Sequence, residues 1–144
     1  MPTKNTSPSG VKFIATELQG GGIHPFITVT IEGQKCRFLI DTGASKSVID
    51  KAFYETKLLR KLKVIKQETT GLHSTVMESY TGKLKKLSIG KRDILNYPIA
   101  AVDLMHVNMT YKKMKVKKID GILGSDLLQK HGAIIDYAQS KLFI

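Results

Sequence analysis

The chain has 144 residues, which suits one domain and leaves too little length for two cores of ordinary size. Hydrophobic residues make up 42% of the chain and charged residues 24%, close to the average for globular proteins, so a disordered chain is not expected. No apolar run is long enough to cross a bilayer as a helix, and we expect no contact with a membrane.

The charge balance is strongly basic, with 23 lysines and arginines against 12 acids and a formal net charge of +11. Such a charge attracts phosphates, anionic lipid heads or acidic peptides, but it names no function by itself. The single cysteine, Cys36, cannot close an internal disulfide. Because residues 1–10 are polar and contain no secretion signal, we expect a flexible arm there, a domain over 11–144 and a cytoplasmic location.

The first part of the chain predicts β-strands followed by a helix. Short runs rich in β-branched and aromatic residues occupy 11–18, 26–31 and 35–40, and the last two are separated by a hairpin turn at 32–34. Apolar residues then recur every three to five positions over 48–62, which predicts the longest helix of the chain.

The second part is again rich in strand signals. Glycines at 71, 82 and 90 predict turns, and 103–118 is a basic connector with no clear period. Ser125 is the expected N-cap of a short helix that ends before Gly132, and a hairpin follows. The predicted strands lie at 64–69, 74–80, 83–89, 94–102, 119–124, 133–137 and 141–144.

One motif carries chemistry, since Asp41 follows the apolar strand that ends at Leu39-Ile40 and is itself followed by Thr42-Gly43-Ala44. An ionisable group at such a place is costly unless it is paired or used. The tripeptide alone is common enough to arise by chance. A second element, Ile122-Leu123-Gly124, is an apolar strand that leads at once into the short helix downstream.

These two motifs together resemble the retropepsin-like aspartic proteases, single-domain relatives of pepsin found in retroviruses and, in divergent forms, in bacteria. The resemblance covers about residues 11–144. It implies a mostly-β, closed acid-protease barrel with one longer helix and one short C-terminal helix, and it implies an aspartic endopeptidase that needs no metal and no cofactor.

The chemistry of that family needs two carboxylates that share one proton, so that one activates a bound water and the other protonates the peptide carbonyl. This chain has one Asp-Thr-Gly, and its other aspartates lack the following Thr-Gly or Ser-Gly. The resemblance therefore implies a homodimer in which a second copy of Asp41 completes the site on a twofold axis. The resemblance further implies that this homodimer binds a peptide or protein as its substrate.

The resemblance also implies roles for the neighbouring residues. Thr42 would join the two active-site loops across the dimer, Gly43 would let the backbone approach the substrate, and Gly124 would allow a tight crossing behind the catalytic loop. Ala44 and Ile122 would line substrate subsites. A hairpin over about 69–76, with Gly71 near its bend, would be the flap that closes over the peptide.

The sequence also departs from the retroviral pattern. Retroviral members commonly have an acid after Asp-Thr-Gly-Ala and an arginine after the second glycine, and the two form an ion pair near the dimer contact. Ser45 and Ser125 stand at these positions here. Because both charges are absent together, neither is left unpaired, and the apolar residues Leu142-Phe143-Ile144 become a candidate dimer contact.

Two other function classes stay open at this point. The same groove could bind an extended peptide without cleaving it, or the basic surface could bind nucleic acid, although aromatic residues are not interleaved with the lysines. A zinc site is not expected, because no histidine pair has ligand spacing. Cys36 alternates in phase with Phe38 and Ile40, which predicts a small buried residue and no nucleophile.

Overall fold

The computed structural model describes residues 10–70 and 75–144, and within 64–70 and 75–79 it describes the backbone alone. The strands of the described residues are β1 (Gly10–Leu18), β2 (Gly22–Ile31), β3 (Gln34–Ile40), β4 (Val48–Asp50), β5 (Lys63–Thr70), β6 (Thr75–Ile89), β7 (Arg92–Val102), β8 (Gly121–Leu123), β9 (Ile134–Asp136) and β10 (Lys141–Phe143). The helices are α1 (Lys51–Thr56), α2 (Met105–Lys113) and α3 (Ser125–Lys130).

The strands form a closed barrel, as the resemblance to the retropepsin-like proteases implies. Their order is β5-β6-β7-β4-β8-β3-β2-β1-β10-β9, and a further pairing of β6 with β2 joins six of them into a ring. The turn between β2 and β3 places Ile31 opposite Gln34, which confirms the predicted hairpin. The expected mostly-β fold with few helices is therefore confirmed.

The main core fills the barrel. Side chains that alternate along β2, β3 and β6 point inward, and Ile31, Phe38, Leu84 and Leu87 have no exposed surface. Cys36 belongs to this core and is 2% exposed, so the prediction of a small buried residue is confirmed. Burial of this kind is the main favourable contribution to folding.

The C-terminal strand is held inside its own chain. β10 lies between β1 and β9, with Val11 opposite Leu142 on one side and Ile135 opposite Leu142 on the other. Leu142 is fully buried and Ile144 is 3% exposed. Both backbone edges of β10 are therefore paired within the chain, and the dimer contact expected at 142–144 stays a prediction.

The helix predicted over 48–62 is much shorter in the structure. Val48 and Ile49 belong to β4, which lies between β7 and β8 and completes the barrel, and α1 ends at Thr56. The apolar spacing arises because a strand, a short helix and a loop all face one core. Beyond α1, Leu58 and Leu62 still pack against that core.

The longest helix of the described residues is α2, which lies in the segment predicted to be an irregular connector. Only Tyr111 of this helix is buried, so its sequence shows no regular apolar face. Tertiary hydrogen bonds hold it: the Asn108 amide donates to the Ile119 carbonyl (3.0 Å) and accepts from the Ile119 N–H (2.8 Å). The Asp103 carboxylate also accepts from the Met105 N–H at 2.9 Å.

Two smaller predictions are also corrected. Gly82 is not at a turn: it lies inside β6, which runs unbroken through the two strands predicted on either side of it. A Cβ atom on Gly82 would lie 2.6 Å from the ring of Tyr54, so the strand needs glycine for close packing against α1. The N-cap of α3 is Gly124, and Ser125 is the first helical residue.

The division into an arm and a domain stays a prediction, since 1–9 lie outside the described residues.

We predict that Gly82→Ala lowers the free energy of unfolding by about 1–3 kcal/mol, because the added methyl overpacks a closed site. The Tyr54 ring cannot swing away freely, since its hydroxyl accepts a hydrogen bond from the Lys83 N–H at 3.1 Å. Urea unfolding monitored by circular dichroism measures the change. Gly22→Ala is the control, because its Cβ would meet no atom closer than 3.8 Å; equal effects of the two variants would contradict the packing argument.

Candidate active site

Two parallel strands position the site. Leu39 of β3 lies opposite Ile122 of β8, and Ile40 lies opposite Leu123, so both motifs end at the same edge of the sheet. The Asp41 N–H continues this pairing by donating to the Leu123 carbonyl at 2.9 Å. The structure thus brings together the two motifs that are far apart in the sequence.

The catalytic-loop candidate is a tight turn that directs the Asp41 carboxylate to the surface. The Ala44 N–H donates to the Asp41 carbonyl at 3.1 Å, which closes the turn, and the Gly43 N–H donates to Asp41 Oδ1 at 2.9 Å. Asp41 is half-buried, whereas Thr42 and Gly43 are exposed. The hydrogen bond from the Gly43 N–H to Oδ1 fixes the orientation of the Asp41 carboxylate. The second carboxylate oxygen, Oδ2, takes no part in this bond.

Gly124 lies directly against the back of this loop. A Cβ atom there would meet the Ala44 carbonyl oxygen at 2.6 Å and the Lys46 backbone at 2.8 Å, and backbone atoms cannot move aside as a side chain could. The Ser125 N–H donates to the same Ala44 oxygen at 2.8 Å. The tight crossing expected at Gly124 is therefore present in the geometry.

A buried polar network supports the loop, and the sequence analysis did not find it. The Ser47 hydroxyl donates to Asp126 Oδ1 at 2.8 Å, the Ser47 N–H donates to the same oxygen at 2.9 Å, and the Tyr97 hydroxyl donates to Asp126 Oδ2 at 3.0 Å. The Gly124 N–H donates to the Ser47 hydroxyl at 2.8 Å. One carboxylate thus joins the Asp41 loop, β7 and the start of α3.

The ionisation of this network follows from its contacts. Partial burial opposes ionisation of Asp126, but hydrogen bonds from Ser47, from the Leu127 backbone and from Tyr97 outweigh it and hold the pKa of Asp126 below its ordinary value. Burial, together with the hydrogen bond to the Asp126 carboxylate, raises the pKa of Tyr97 to about 12. The network therefore consists of an ionised acceptor and neutral donors at neutral pH.

Other carboxylates near these strands are engaged in structural contacts. Asp50 Oδ1 accepts from the Leu104 N–H at 3.2 Å, and burial above all raises the pKa of Asp50. Asp120 Oδ2 accepts from the Arg37 N–H at 2.9 Å. Each of these groups holds the backbone of a neighbouring segment, unlike Asp41, whose carboxylate bonds only to its own loop among the contacts described here.

A second apolar cluster borders the site on the side of α2. The half-buried Leu39 and Ile122, which precede the two motifs, pack against a cluster that includes Phe26 and Tyr111. Ile122, expected to line a subsite, is thus partly covered by the connector before β8. Ala44 is half-buried and lies in the turn itself.

Tyr111 lies near the site, and no motif in the sequence predicts a role for it. Its ring packs edge-on against Phe26 at 5.5 Å, and its hydroxyl lies 2.9 Å from His24 Nδ1. Burial, followed by the negative charge of Asp41, raises the pKa of Tyr111. The sequence signal for Tyr111 is an aromatic residue next to lysines. This signal does not indicate a position near Asp41 until the structure shows that α2 packs over β2.

The remaining expectations concern features outside this loop. Gly71 lies outside the described residues, although the arms of its hairpin pair as far as Thr70 opposite Thr75. Burial raises the pKa of the Cys36 thiol to about 12.

Over 10–70 and 75–144 the structure contains no cluster of three or more histidine, cysteine or acidic side chains arranged to hold a metal ion. None of the helices in those ranges is long and apolar enough to cross a membrane.

Comparison with known proteins gives an independent assignment. The sequence profile of the aspartyl protease family matches residues 27–127, well over half of the chain and both motifs. Because this match covers more than half of the chain, the chain belongs to the aspartyl protease family. A search of curated protein sequences finds no significant match.

Solved structures show the same fold. The chain is similar to a retropepsin-like aspartic protease from Rickettsia conorii, with 24% identity, coverage of 94% of this chain and 92% of that chain, and a TM-score of 0.56. It is also similar to the retroviral protease-like domain of Ddi1 from Leishmania major (18%, 91% and 90%, 0.57) and to EIAV protease in complex with the inhibitor HBY-793 (22%, 85% and 99%, 0.55). The fold is therefore retropepsin-like.

We predict that Asp126→Asn lowers the free energy of unfolding at pH 7 by about 1–2 kcal/mol, through loss of charge-assisted hydrogen bonds. Because the folded-state pKa of Asp126 is depressed, its contribution is present above the unfolded pKa of about 4 and is lost as pH falls through the folded value. The difference between wild type and variant should therefore shrink on acidification.

Urea unfolding at a series of pH values from neutral to acidic measures this difference. Glu17→Gln, at an exposed acid, is the matched loss of one charge and should change stability little at any pH. A difference between wild type and Asp126→Asn that stays constant through the acid range would show that ionisation of Asp126 does not support the loop.

Proposed function

We propose that the chain is an aspartic endopeptidase that hydrolyses peptide bonds with a water molecule activated between two Asp41 carboxylates. The observation that carries the proposal is the position of Asp41: it ends a buried strand, lies on a turn locked to Gly124, and presents its carboxylate at the surface. Membership of the aspartyl protease family supports the same reaction.

The proposed reaction needs a second carboxylate that this chain does not supply beside Asp41. Asp50, Asp120 and Asp126 are engaged with backbone and side-chain donors, as described above. We therefore propose that the active form is a homodimer in which the exposed Thr42-Gly43 turns of two copies meet at a twofold axis. The two acids then titrate as one coupled pair, with one proton shared between them.

The other site residues take roles that fit their positions. Thr42, exposed beside the acid, would tie the two turns together, and Gly43 would let the substrate backbone pass close to the carboxylates. Ala44 and Ile122 would line the subsites next to the scissile bond. The hairpin of β5 and β6, whose bend would include Gly71, is proposed as the flap that covers the peptide and excludes water.

In the proposed mechanism the ionised member of the pair removes a proton from the bound water, which attacks the peptide carbonyl carbon. The protonated member donates its proton to the carbonyl oxygen, and a tetrahedral diol forms. Transfer of a proton to the amide nitrogen then allows the carbon–nitrogen bond to break. The backbone contacts that fix Asp41 hold its carboxylate in place during these transfers.

We predict that Asp41→Asn reduces peptide cleavage by on the order of a thousandfold or more, because an amide cannot act as the proton-transferring group. Turnover of a mixed peptide library, read by mass spectrometry from acidic to neutral pH, measures the loss. The variant should keep its circular dichroism spectrum, since Asn still offers an oxygen to the Gly43 N–H. Asp93→Asn, at an exposed acid away from the site, is the control and should cleave normally.

Two outcomes would decide between this proposal and a non-catalytic peptide-binding module. Cleavage that survives Asp41→Asn would rule out the mechanism. Absence of cleavage by the wild type, together with a rise in melting temperature on adding a pepstatin-type inhibitor, would indicate a groove that binds extended peptides without hydrolysing them.

We predict that mixing equal amounts of wild type and Asp41→Asn, after subunits have exchanged, leaves roughly a quarter of the activity per total protein, because only wild-type pairs hold both acids. Independent active monomers would leave roughly half. Analytical ultracentrifugation of the same samples gives the mass of the active species, and an exclusively monomeric active form would contradict the dimer.

A further inference from the structure

Two adjoining depressions lie on the side of the barrel, and neither contains a residue of the Asp41 loop. One, of about 410 Å³, lies between α2 and the segment that follows it, and the other, of about 530 Å³, lies over β2 and β3. Lys117 and Lys118 line both, so the two form one continuous surface, which we call the basic trough.

The trough is strongly positive. Its basic side chains are Lys35, Arg37, Lys112, Lys117 and Lys118. Its one acid, Asp120, already accepts a hydrogen bond from the Arg37 backbone, and no acidic residue occurs between positions 104 and 119. None of these five bases forms an ion pair with an acid among the described residues. The net charge of the trough would therefore be neutralised only by an external anionic group or by salt.

The trough also contains exposed apolar surface. Met105 and Met109 lie one turn apart on the same face of α2, are 53% and 51% exposed, and line the smaller depression together with Val116. Methionine side chains adapt to ligands of different shape, and exposed apolar groups that are rimmed by charges are typical of interaction surfaces. A lysine-rich surface that contacts only solvent is not expected to contain these exposed apolar side chains, which form the floor of the trough.

The form of the trough favours one class of ligand. Its apolar side chains line a depression between lysines, which suits an inserted side chain better than the flat surface of a bilayer. No aromatic side chain lines it, so it lacks the stacking platform that single-stranded nucleic acids use. A polypeptide segment with several carboxylates and an apolar side chain matches both the charge and the floor.

We propose that the basic trough binds an acidic peptide segment, with carboxylates on Lys112, Lys117 and Lys118 and an apolar side chain on Met105 and Met109. Arg37 lies four residues before Asp41, about 13 Å along an extended backbone, and no residue of the Asp41 turn lines the trough. The trough is therefore distinct from the Asp41 turn, and its binding does not require peptide cleavage.

Fluorescence anisotropy with a short labelled peptide of aspartate, glutamate and leucine tests this site. The protein carries Asp41→Asn in every sample, so that the result is independent of the proposed protease activity. We expect the triple variant Lys112→Glu, Lys117→Glu, Lys118→Glu to weaken binding by about tenfold or more, and we expect affinity to fall as salt is added.

Matched variants separate local contacts from net charge. Lys83→Glu, Lys85→Glu, Lys91→Glu makes the same change of charge at exposed lysines outside the trough and should leave most of the affinity. Met109→Gln should weaken the leucine-containing peptide several-fold but leave a purely acidic peptide unchanged. If the glutamate triple variant does not fold, as judged by circular dichroism, the glutamine version of the same three positions replaces it.

The results that would overturn the proposal are distinct. Equal loss of affinity in the two triple variants would show a general charge effect without a site. Tighter binding of vesicles containing anionic phospholipid, or of a single-stranded oligonucleotide, with loss only in the trough variant, would show that the trough serves a different ligand class. Failure of Asp41→Asn to abolish cleavage would affect the proposed mechanism alone.

Discussion

The structure depends on one backbone contact, the crossing of Gly124 behind the Asp41 turn. The Ala44 carbonyl accepts from Ser125 on one side of this crossing, and a Cβ atom on Gly124 would occupy the space that the Ala44 oxygen fills. Because β3 and β8 run parallel, the two motifs arrive at this point from the same direction. The barrel thus holds the Asp41 turn against the Gly124 segment and fixes the position of the Asp41 carboxylate.

The Ser47–Asp126–Tyr97 network explains how the chain manages without the retroviral ion pair. Where an acid and an arginine commonly pair, this chain has serines, and an ionised carboxylate with neutral hydroxyl and backbone donors lies close by. A charge that is satisfied by several hydrogen bonds avoids the cost of burying two opposite charges. The loop is consequently supported by hydrogen bonds within a single chain.

The strands and the Asp41 loop could be predicted from the sequence because their signals are local: β-branched runs, tight turns, and two short motifs. The closed barrel is implied by the resemblance that the two motifs carry. The extent of α1 and the presence of α2 could not be predicted. Apolar spacing does not reveal that Val48 belongs to a barrel strand or that the Asn108 side chain forms hydrogen bonds with the backbone of Ile119. The turn predicted at Gly82 is wrong because a glycine needed for close packing looks the same in sequence as one needed for bending. Tertiary contacts decided each of these cases.

The placement of β10 between β1 and β9 has a consequence for how the molecule assembles. β10 is the last strand along the described chain and pairs with β1, the first, so β1 has no partner on that edge until the residues of β10 have been synthesised. The six-stranded ring can form once β8 is present, whereas the flanking sheet closes only when β9 and β10 are also present. Such long-range pairing raises the contact order and slows folding, and it exposes β1 as an unpaired edge to chaperones or to other nascent chains in the interval.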